Sequence, residues 1–204
     1  MLVYKRFVML PPLKIIPNAL PNSVAFAART EFKNADYDKI IQERKGYYGR
    51  DFKDNIPFVP GENEVYRSEF YRSNYLESNS TIREAYYSYI KPLVENAIDK
   101  PVLDADLRCY KMETGGHFRV HRDAYISDTG FIWYLSKDWK WDWGGALMSI
   151  DDDGRVEATI PHFNQLVIMN HQDGQVPHFV TPVTEWALEP RYMLVGFLKS
   201  GGFN

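Results

Sequence analysis

The amino-acid sequence predicts a mainly β fold with flanking helices, a double-stranded β-helix (jelly roll). From residue 103 onward, short runs of β-branched and aromatic residues alternate with turn formers, as is typical of sandwiches and barrels. Ahead of these runs, residues 81–97 repeat apolar side chains at helical spacing. The length of 204 residues and the hydrophobic content of 45% suit a single domain, residues 1–204, with one sizeable core.

Residues 1–102 are predicted to be a mixed helix and loop region that supports the catalytic core. Residues 2–9 are apolar enough for an edge strand and are followed by two prolines. Residues 21–30 combine a candidate cap, Asn22 or Ser23, with good helix formers, and so predict a first helix.

A second helix is predicted to begin at Thr81. Thr81-Ile-Arg-Glu84 has the pattern of a capping box, in which the first and last side chains satisfy each other's backbone N–H groups. The apolar stripe behind it would pack on a sheet. Pro92 is expected to kink or interrupt this helix because proline lacks the N–H that the helix needs.

Residues 47–72, between the two helices, are rich in aromatic residues, charges, proline and glycine but lack clean periodicity. Irregular segments of this length in a compact domain are usually disordered or functional. The aromatic content favours an ordered segment with a surface to cover. We therefore predict that it acts as a substrate lid within residues 1–102.

Residues 103–204 are predicted to form the jelly-roll catalytic core. Asp151-Asp-Asp-Gly154 is a hairpin turn signal between two of its strands. The predicted strands are residues 107–111, 117–120, 131–135, 146–150, 156–160, 165–169, 179–183 and 192–198.

Composition and charge narrow the classes of partner. A formal net charge of -3 gives no general attraction to nucleic acid or anionic membranes, so a nucleic-acid substrate is disfavoured. The first residues lack the order of charge and apolar run that a signal peptide has, and no window is long enough for a membrane span. The single cysteine, Cys109, excludes an internal disulfide. We therefore expect a soluble, cytoplasmic protein without a membrane partner.

His121 and Asp123 stand two residues apart, and His178 follows much later in the chain. An HxD pair on a strand points both side chains to the same side, because strand side chains alternate. Two imidazoles and one carboxylate can occupy one face of an octahedral Fe(II), leaving three positions open for a cosubstrate and oxygen. The three residues are therefore predicted to be the metal ligands, and the catalytic group, of an oxygenase.

A second HxD pair, His171 and Asp173, shows that the pattern alone is weak. This pair lies in Asn170-His-Gln-Asp-Gly174, a cluster of turn formers, where a surface histidine beside a solvated aspartate is the simpler interpretation. The first pair instead ends the aromatic and branched residues 110–120 and precedes the strand-like residues 131–135. We therefore interpret the first pair as the ligands and the second as part of a loop.

Several segments carry a resemblance to a known family. YKMETGGHFRVHRD (110–123) is similar to the family's tyrosine, glycine turn and HxD segment. YLSKDW (134–139), followed by GGAL (144–147), is similar to its Tyr-Leu-Asn-x-Asp-Trp and Gly-Gly-x-Leu elements. PHFVTPV (177–183) and RYMLVGF (191–197) are similar to its distal histidine and its cosubstrate-binding strand. In order and approximate spacing, these segments resemble the 2-oxoglutarate/Fe(II)-dependent dioxygenases, and within them the prolyl 4-hydroxylase-like branch.

The resemblance implies further site residues and cofactors. Arg191 would bind the 5-carboxylate of 2-oxoglutarate in a bidentate fork, and Tyr134 would hydrogen-bond the same carboxylate. Tyr110 would lie against the cosubstrate near the metal. The implied cofactors are Fe(II) and the cosubstrate 2-oxoglutarate, with O2 as the second substrate and ascorbate as a candidate reductant.

Two positions depart from the family pattern. Arg191 follows His178 at a greater distance than is usual in this branch, and residues 185–190 fill the gap. Ser136 stands where an asparagine is common. The first half of the chain matches nothing in detail, although that half normally helps to select the substrate.

Three functions compete at this point. The leading one is hydroxylation of a peptidyl proline or a similar side chain in a protein or peptide, with release of succinate and CO2. The second is the same chemistry on a free amino acid or another small metabolite. The third is a non-catalytic jelly-roll binding module, against which the complete ligand set and Arg191 argue.

Overall fold

A computed structural model of the chain describes residues 13–45, 65–73, 76, 80–121, 123, 127–150, 155–171 and 176–201. The predicted strand over residues 2–9, the turn at 151–154 and residues 47–64 of the predicted lid lie outside these residues. The elements run in the order β1 (Leu13–Ile16), α1 (Asn22–Asn34), β2 (Asp38–Lys45), β3 (Val65–Ser73), α2 (Thr81–Ala85), a π-helical turn (Tyr86–Ile90), α3 (Lys91–Ile98), β4 (Val102–Met112), β5 (Phe118–His121), β6 (Thr129–Tyr134), β7 (Leu147–Ile150), β8 (Val156–Thr159), β9 (Leu166–Asn170), β10 (His178–Val180) and β11 (Arg191–Ser200).

The described strands form two antiparallel sheets that face each other as in a jelly roll. The larger sheet has the order β1-β9-β6-β11-β4-β3-β2, and the smaller has the order β5-β10-β7-β8. All eight strands predicted in the second half are present. The mainly β class with flanking helices is therefore confirmed.

Both predicted helices are present, with a correction at the cap of each. Neither Asn22 nor Ser23 caps α1, which begins at Asn22 after Pro21 and has no side-chain cap. Ser80, not Thr81, caps α2, because its extended backbone lets its Oγ accept a hydrogen bond of 3.0 Å from the backbone N–H of Arg83. The N–H of Thr81 instead donates to Glu31 of α1 at 2.8 Å, which ties the two helices together. Pro92 lies at the start of α3, directly after the π-helical turn, so the predicted interruption is confirmed.

The prediction of an irregular segment was wrong for residues 65–72, which belong to β3. This strand pairs with β2 along its whole length and with β4 through Tyr71, Arg72 and Ser73. The usual alternation is hidden because charged residues on β3 are neutralised across the ladder. Glu69, for example, pairs with Lys39 of β2 at 2.6 Å.

The larger sheet separates two apolar clusters. Its outer face packs on the helices, and Trp133, Leu194 and Phe32 are among the buried residues there. Its inner face, which includes Tyr134 and Met193, faces the smaller sheet. The predicted packing of the helical stripe on a sheet is confirmed. Every helix in the described part of the chain is too short or too polar to cross a lipid bilayer.

Candidate active site

His121, Asp123 and His178 meet where the smaller sheet brings β5 and β10 together. His178 begins β10 and pairs in register with His121, the last residue of β5. One ligand atom from each of the three residues lies within 4.8 Å of the others, a spacing that a single metal ion can bridge. The Asp123 carboxylate is 3.4 Å from Nε2 of His178 and 3.8 Å from Nε2 of His121.

Backbone contacts orient both imidazoles. Nδ1 of His121 donates to the carbonyl oxygen of Arg119 at 2.7 Å, and Nδ1 of His178 donates to that of Val176 at 3.0 Å. A proton held on Nδ1 leaves the lone pair of Nε2 free to bind a metal. Both Nε2 atoms face Asp123, so the donors converge on one point.

The electrostatics of the group favour a cation. Burial opposes ionisation of Asp123, but His121 and His178 outweigh it and hold the pKa of this carboxyl well below its usual range. Burial, and then the neighbouring His178, lower the pKa of His121 to about 4, so its imidazole is neutral near pH 7. One carboxylate and a neutral imidazole suit a divalent first-row metal.

A cavity of about 790 Å³, counting its solvent-open mouth, lies between the sheets and reaches these three residues. On the inner face of the larger sheet, two layers of paired residues line the cavity, and a third layer continues the sheet beyond them. Val195 is paired with Arg108, Met193 is paired with Tyr110, and Arg191 is paired with Met112.

Arg191 lies in the innermost of these layers and is fully buried. Its Nη1 contacts the sulfur atoms of Met112 (3.6 Å) and Met193, and its Nη2 lies 3.4 Å from the hydroxyl of Tyr134. Its Nε has no hydrogen-bond partner among the described residues, and none of their carboxylates pairs with its charge. A buried cation in such surroundings is costly unless an anion arrives.

Met193 separates this guanidinium from the open cavity. Its side chain lines the cavity and contacts Arg191, whereas Arg191 and Tyr134 are not part of the cavity wall. An anion in the cavity would therefore approach the guanidinium past the Met193 side chain. Methionine is well suited to such a position because its unbranched side chain is flexible.

The two predicted cosubstrate tyrosines differ in position. Tyr134 ends β6 beside Arg191, whose charge centre lies 5.0 Å from the ring centroid. Tyr110 lines the cavity nearer the metal ligands, and its ring is packed edge-on against Phe70 at 5.1 Å between centroids. Burial raises the pKa of both phenols, so each is a neutral hydrogen-bond donor. The structure thus brings the predicted site residues to one cavity and its inner end.

Two residues that support Arg191 were not predicted for this role. Ser136 accepts a hydrogen bond of 2.7 Å from the N–H of Tyr192 and donates one of 3.0 Å to the carbonyl of Pro190, so it holds the backbone on both sides of Arg191. Gly145 has a φ of +63°, and a Cβ there would lie 2.8 Å from Cδ of Arg191. In the sequence, the Gly144-Gly145 pair is the only indication of the contact between Gly145 and Arg191, and a simple hairpin turn can contain the same two residues.

The interpretation of His171 as a surface histidine was wrong. The residue directly follows β9, is only 4% exposed and contacts Ser127 through Nδ1 at 3.2 Å. Its ring approaches Gly130 so closely that a Cβ there would lie 2.9 Å from Cε1. Asp173 lies outside the described residues. His171 is buried because the inner face of the sheet continues beyond β9. The turn-forming residues around His171 in the sequence do not indicate this burial.

Comparison with known proteins identifies a family domain in the chain. Residues 105–199 match the family model of the 2OG-Fe(II) oxygenase superfamily. The chain carries a 2OG-Fe(II) oxygenase domain. It is therefore a 2-oxoglutarate-dependent dioxygenase, whose cofactors are Fe(II) and 2-oxoglutarate, and the resemblance found in the sequence is confirmed. No curated protein sequence matches the chain.

Solved structures share the fold of this dioxygenase. A prolyl-4-hydroxylase from Pseudomonas putida matches with 16% identity and a TM-score of 0.61, over 94% of each chain. A Trichoplax adhaerens prolyl hydroxylase, in complex with a peptide fragment of the hypoxia inducible factor oxygen degradation domain, matches with 15% identity and a TM-score of 0.61, over 92% of this chain and 83% of that one. The non-heme alpha ketoglutarate dependent epimerase SnoN from nogalamycin biosynthesis matches with 12% identity and a TM-score of 0.63, over 92% of this chain and 79% of that one.

Proposed function

We propose that this dioxygenase hydroxylates a peptidyl proline or a similar side chain, converting 2-oxoglutarate and O2 to succinate and CO2. The observation that carries the cosubstrate part is Arg191, a fully buried cation without an anionic partner among the described residues, at the inner end of the cavity that reaches the three metal-ligand candidates. The peptide part is supported by the fold shared with two prolyl hydroxylases, one of which is in complex with a peptide.

Each residue has one task in this proposal. His121 and His178 would hold Fe(II) through Nε2, and Asp123 would hold it through a carboxylate oxygen. Bound iron and 2-oxoglutarate together supply the oxidising chemistry that attacks an unactivated C–H bond. The carbonyl oxygens of Arg119 and Val176 keep the two imidazoles aimed at the metal.

The 5-carboxylate of 2-oxoglutarate, the end farther from the metal, would be bound by Arg191 and Tyr134. Arg191 would bind the 5-carboxylate through its guanidinium, and the Tyr134 hydroxyl, 3.4 Å from Nη2, would donate a hydrogen bond to the same group. Tyr110 lies one layer farther out and would offer its neutral hydroxyl to the end of the cosubstrate nearer the metal. The apolar residues Ile132, Val167 and Leu147 keep the surroundings dry, which strengthens these contacts.

The proposal is tested by supplying the protein with Fe(II), 2-oxoglutarate and O2 in the presence of a panel of proline-containing peptides and free amino acids. Succinate is quantified, and mass spectrometry locates the added oxygen atom. We expect hydroxylation of a proline or a similar residue within a peptide. Asp123→Ala is expected to remove both iron binding and turnover while circular dichroism shows an intact fold.

The other outcomes separate the alternatives. Hydroxylation of a free amino acid, with no peptide accepted, would replace the peptide assignment by the small-metabolite one. Failure of the protein to bind either Fe(II) or 2-oxoglutarate would support the non-catalytic binding module.

A further inference from the structure

His171 is a buried histidine near the metal-ligand candidates, although it is not one of them. It directly follows β9 and is only 4% exposed. On this strand it shares the parity of Val167 and Met169, which belong to the inner apolar cluster, so its side chain lies on the inner face of the larger sheet. A polar ring buried in such a place normally has hydrogen-bond partners that explain it.

One edge of the His171 ring contacts the segment that carries Asp123. Nδ1 of His171 lies 3.2 Å from Oγ of Ser127 and 3.3 Å from the carbonyl oxygen of the same residue. The backbone N–H of Ser127 in turn donates to the carbonyl oxygen of Asp123 at 3.2 Å. The backbone N–H of His171 donates to the carbonyl oxygen of Asp128 at 3.0 Å. His171 therefore holds the chain just after Asp123 through both its ring and its backbone.

Asp123 needs such support because it lies outside the strands. His121 and His178 are held by the ladder between β5 and β10, whereas Asp123 follows β5 and belongs to no strand in the described part of the chain. Its carboxylate must nevertheless keep facing both Nε2 atoms if the three residues are to bind one ion. The contacts of Ser127 connect this ligand to the end of the larger sheet.

The other edge of the His171 ring is buried, and its Nε2 has no hydrogen-bond partner among the described residues. This edge lies over Gly130 of β6, where a Cβ would be 3.2 Å from Nε2 and 2.9 Å from Cε1. The glycine therefore leaves the space that the ring occupies. Gly130 pairs with Met169 and Phe197, which both line the cavity. Nε2 thus lies at the level of the cavity wall.

The charge that acts most strongly on His171 is the carboxylate of Asp123. Burial lowers the pKa of His171, and Asp123 opposes this lowering more than any other charge does. Burial raises the pKa of Asp123, and His171 is one of three histidines whose combined effect brings it below its usual range. The neutral imidazole of His171 carries one proton. When the Ser127 hydroxyl donates to Nδ1, that proton is on Nε2, where it stabilises a nearby anion.

We propose that His171 is a positioning residue of the metal site. Through Ser127 it fixes the backbone of Asp123, and the proton on its Nε2 stabilises the Asp123 carboxylate in the position of a metal ligand. This inference rests on the metal-ligand role of Asp123 in the proposed function. Residues that orient metal ligands without touching the metal typically contribute roughly 10- to 100-fold to metal affinity.

The test is titration of Co(II) into the metal-free protein. Calorimetry gives the affinity, and the visible d–d absorption of bound Co(II) reports the number and geometry of its ligands, so neither measurement needs turnover. His171→Ala removes both contacts of the ring, His171→Gln can supply an amide donor near the position of Nε2, and Ser127→Ala removes the hydroxyl. His162→Ala is the matched control, because His162 is an exposed histidine whose ring lies against Trp141.

His171→Ala should weaken Co(II) binding roughly 10- to 100-fold and change the absorption spectrum. Ser127→Ala and His171→Gln should each show part of this loss, and His162→Ala should bind Co(II) as the wild type does. If His171 only filled space, His171→Ala would lower the Tm of the metal-free protein and leave the affinity and the spectrum unchanged.

Three results would overturn the inference. One is a Co(II) affinity of His171→Ala within about twofold of wild type, since orienting residues contribute more than this. Another is an equal loss in His171→Gln and His171→Ala, because Nε2 would then have no role. If His171→Ala does not fold, Ser127→Ala still decides, since it removes a single oxygen atom and should weaken Co(II) binding. Wild-type affinity in Ser127→Ala is the third result.

Asp123→Ala separates this inference from the proposed function. Because His171 acts through Asp123, adding His171→Ala to Asp123→Ala should cause no further loss of Co(II) affinity, whereas independent effects would add. Wild-type binding of Co(II) by Asp123→Ala would refute the proposed metal-ligand set. Weak binding by Asp123→Ala together with wild-type binding by His171→Ala would refute the inference and leave the ligand set standing.

Discussion

Replacing Arg191 by methionine should weaken 2-oxoglutarate binding without lowering the stability of the ligand-free protein. The guanidinium is fully buried between Met112 and Met193 and lacks an anionic partner among the described residues. Methionine has a similar length and no charge to bury. We therefore expect the ligand-free variant to unfold at a temperature equal to or higher than the wild type, because an uncompensated buried charge is removed.

The same substitution should remove most of the stabilisation by 2-oxoglutarate. A lost charge-assisted contact to a carboxylate costs about 1.5–3 kcal/mol, or roughly ten- to a hundredfold in affinity. At a concentration 100 times the wild-type Kd, the ligand stabilises the wild type by about 2.7 kcal/mol, and a variant with hundredfold weaker affinity by about 0.4 kcal/mol. For a chain of this size the Tm shifts are roughly 5–11 °C and 1–2 °C.

The assay is thermal unfolding of the Mn(II)-loaded protein without and with 2-oxoglutarate, together with calorimetric titration. Arg191→Lys is the matched variant, since it keeps the charge but loses the planar fork, and it should show an intermediate ligand shift. An undiminished 2-oxoglutarate shift in Arg191→Met would refute the assignment of Arg191. A marked loss of stability in the ligand-free variant would refute the view that the buried charge is uncompensated.

Further predictions concern three other positions. Gly145→Ala, at a φ of +63° and with its Cβ 2.8 Å from Cδ of Arg191, should lower both Tm and the affinity for 2-oxoglutarate. The control Gly115→Ala, at a φ of +82° with open space around it, should show only the backbone cost of about 1–2 kcal/mol and bind the cosubstrate normally. Calorimetry measures both affinities, and equal values would contradict the contact between Gly145 and Arg191. Met193→Ala should raise the association rate of 2-oxoglutarate measured by stopped flow, because the Met193 side chain lies between the cavity and the guanidinium of Arg191. An unchanged or slower rate would show that Met193 does not obstruct entry of the cosubstrate. Burial, and then Glu31, raise the pKa of Cys109 to about 12, whereas the thiol of the unfolded chain ionises near its ordinary pKa. The folded protein should therefore resist thiol reagents at pH 8.5 and lose stability as the pH rises above about 9. Rapid labelling of Cys109 in the native protein would contradict this prediction.

The sequence was sufficient for the jelly-roll strands because each one is a short run bounded by turn formers. It was insufficient for β3, because the charges of this strand are neutralised by β2, a partner that is distant in sequence. Pairing across a ladder is set by tertiary structure, and strand propensity depends strongly on such context. The same reason explains why Ser80 rather than Thr81 caps α2, since Glu31 of α1 takes the N–H of Thr81.

The metal-ligand candidates could be predicted because their chemistry restricts residue type and spacing together. An HxD pair on a strand and a distant histidine leave few arrangements, and the structure brings all three within reach of one ion. The residues that position Arg191 could not be predicted in the same way. Ser136 acts through one hydroxyl that bridges two backbone groups, and Gly145 acts through the absence of a Cβ. Neither effect leaves a pattern in sequence.

The two sheets anchor the two halves of the site unequally. Arg191 and Tyr110 stand on β11, of 10 residues, and β4, of 11 residues, which form one long ladder. The paired metal-ligand candidates stand on β5, of 4 residues, and β10, of 3 residues, whose register shifts just after His178. Short, irregular pairs are the units that open first in local unfolding. Loss of activity during storage should therefore begin with release of the metal from a molecule that is otherwise folded, and added Fe(II) should restore the activity. Amide hydrogen exchange should be faster in β5 and β10 than in β4 and β11.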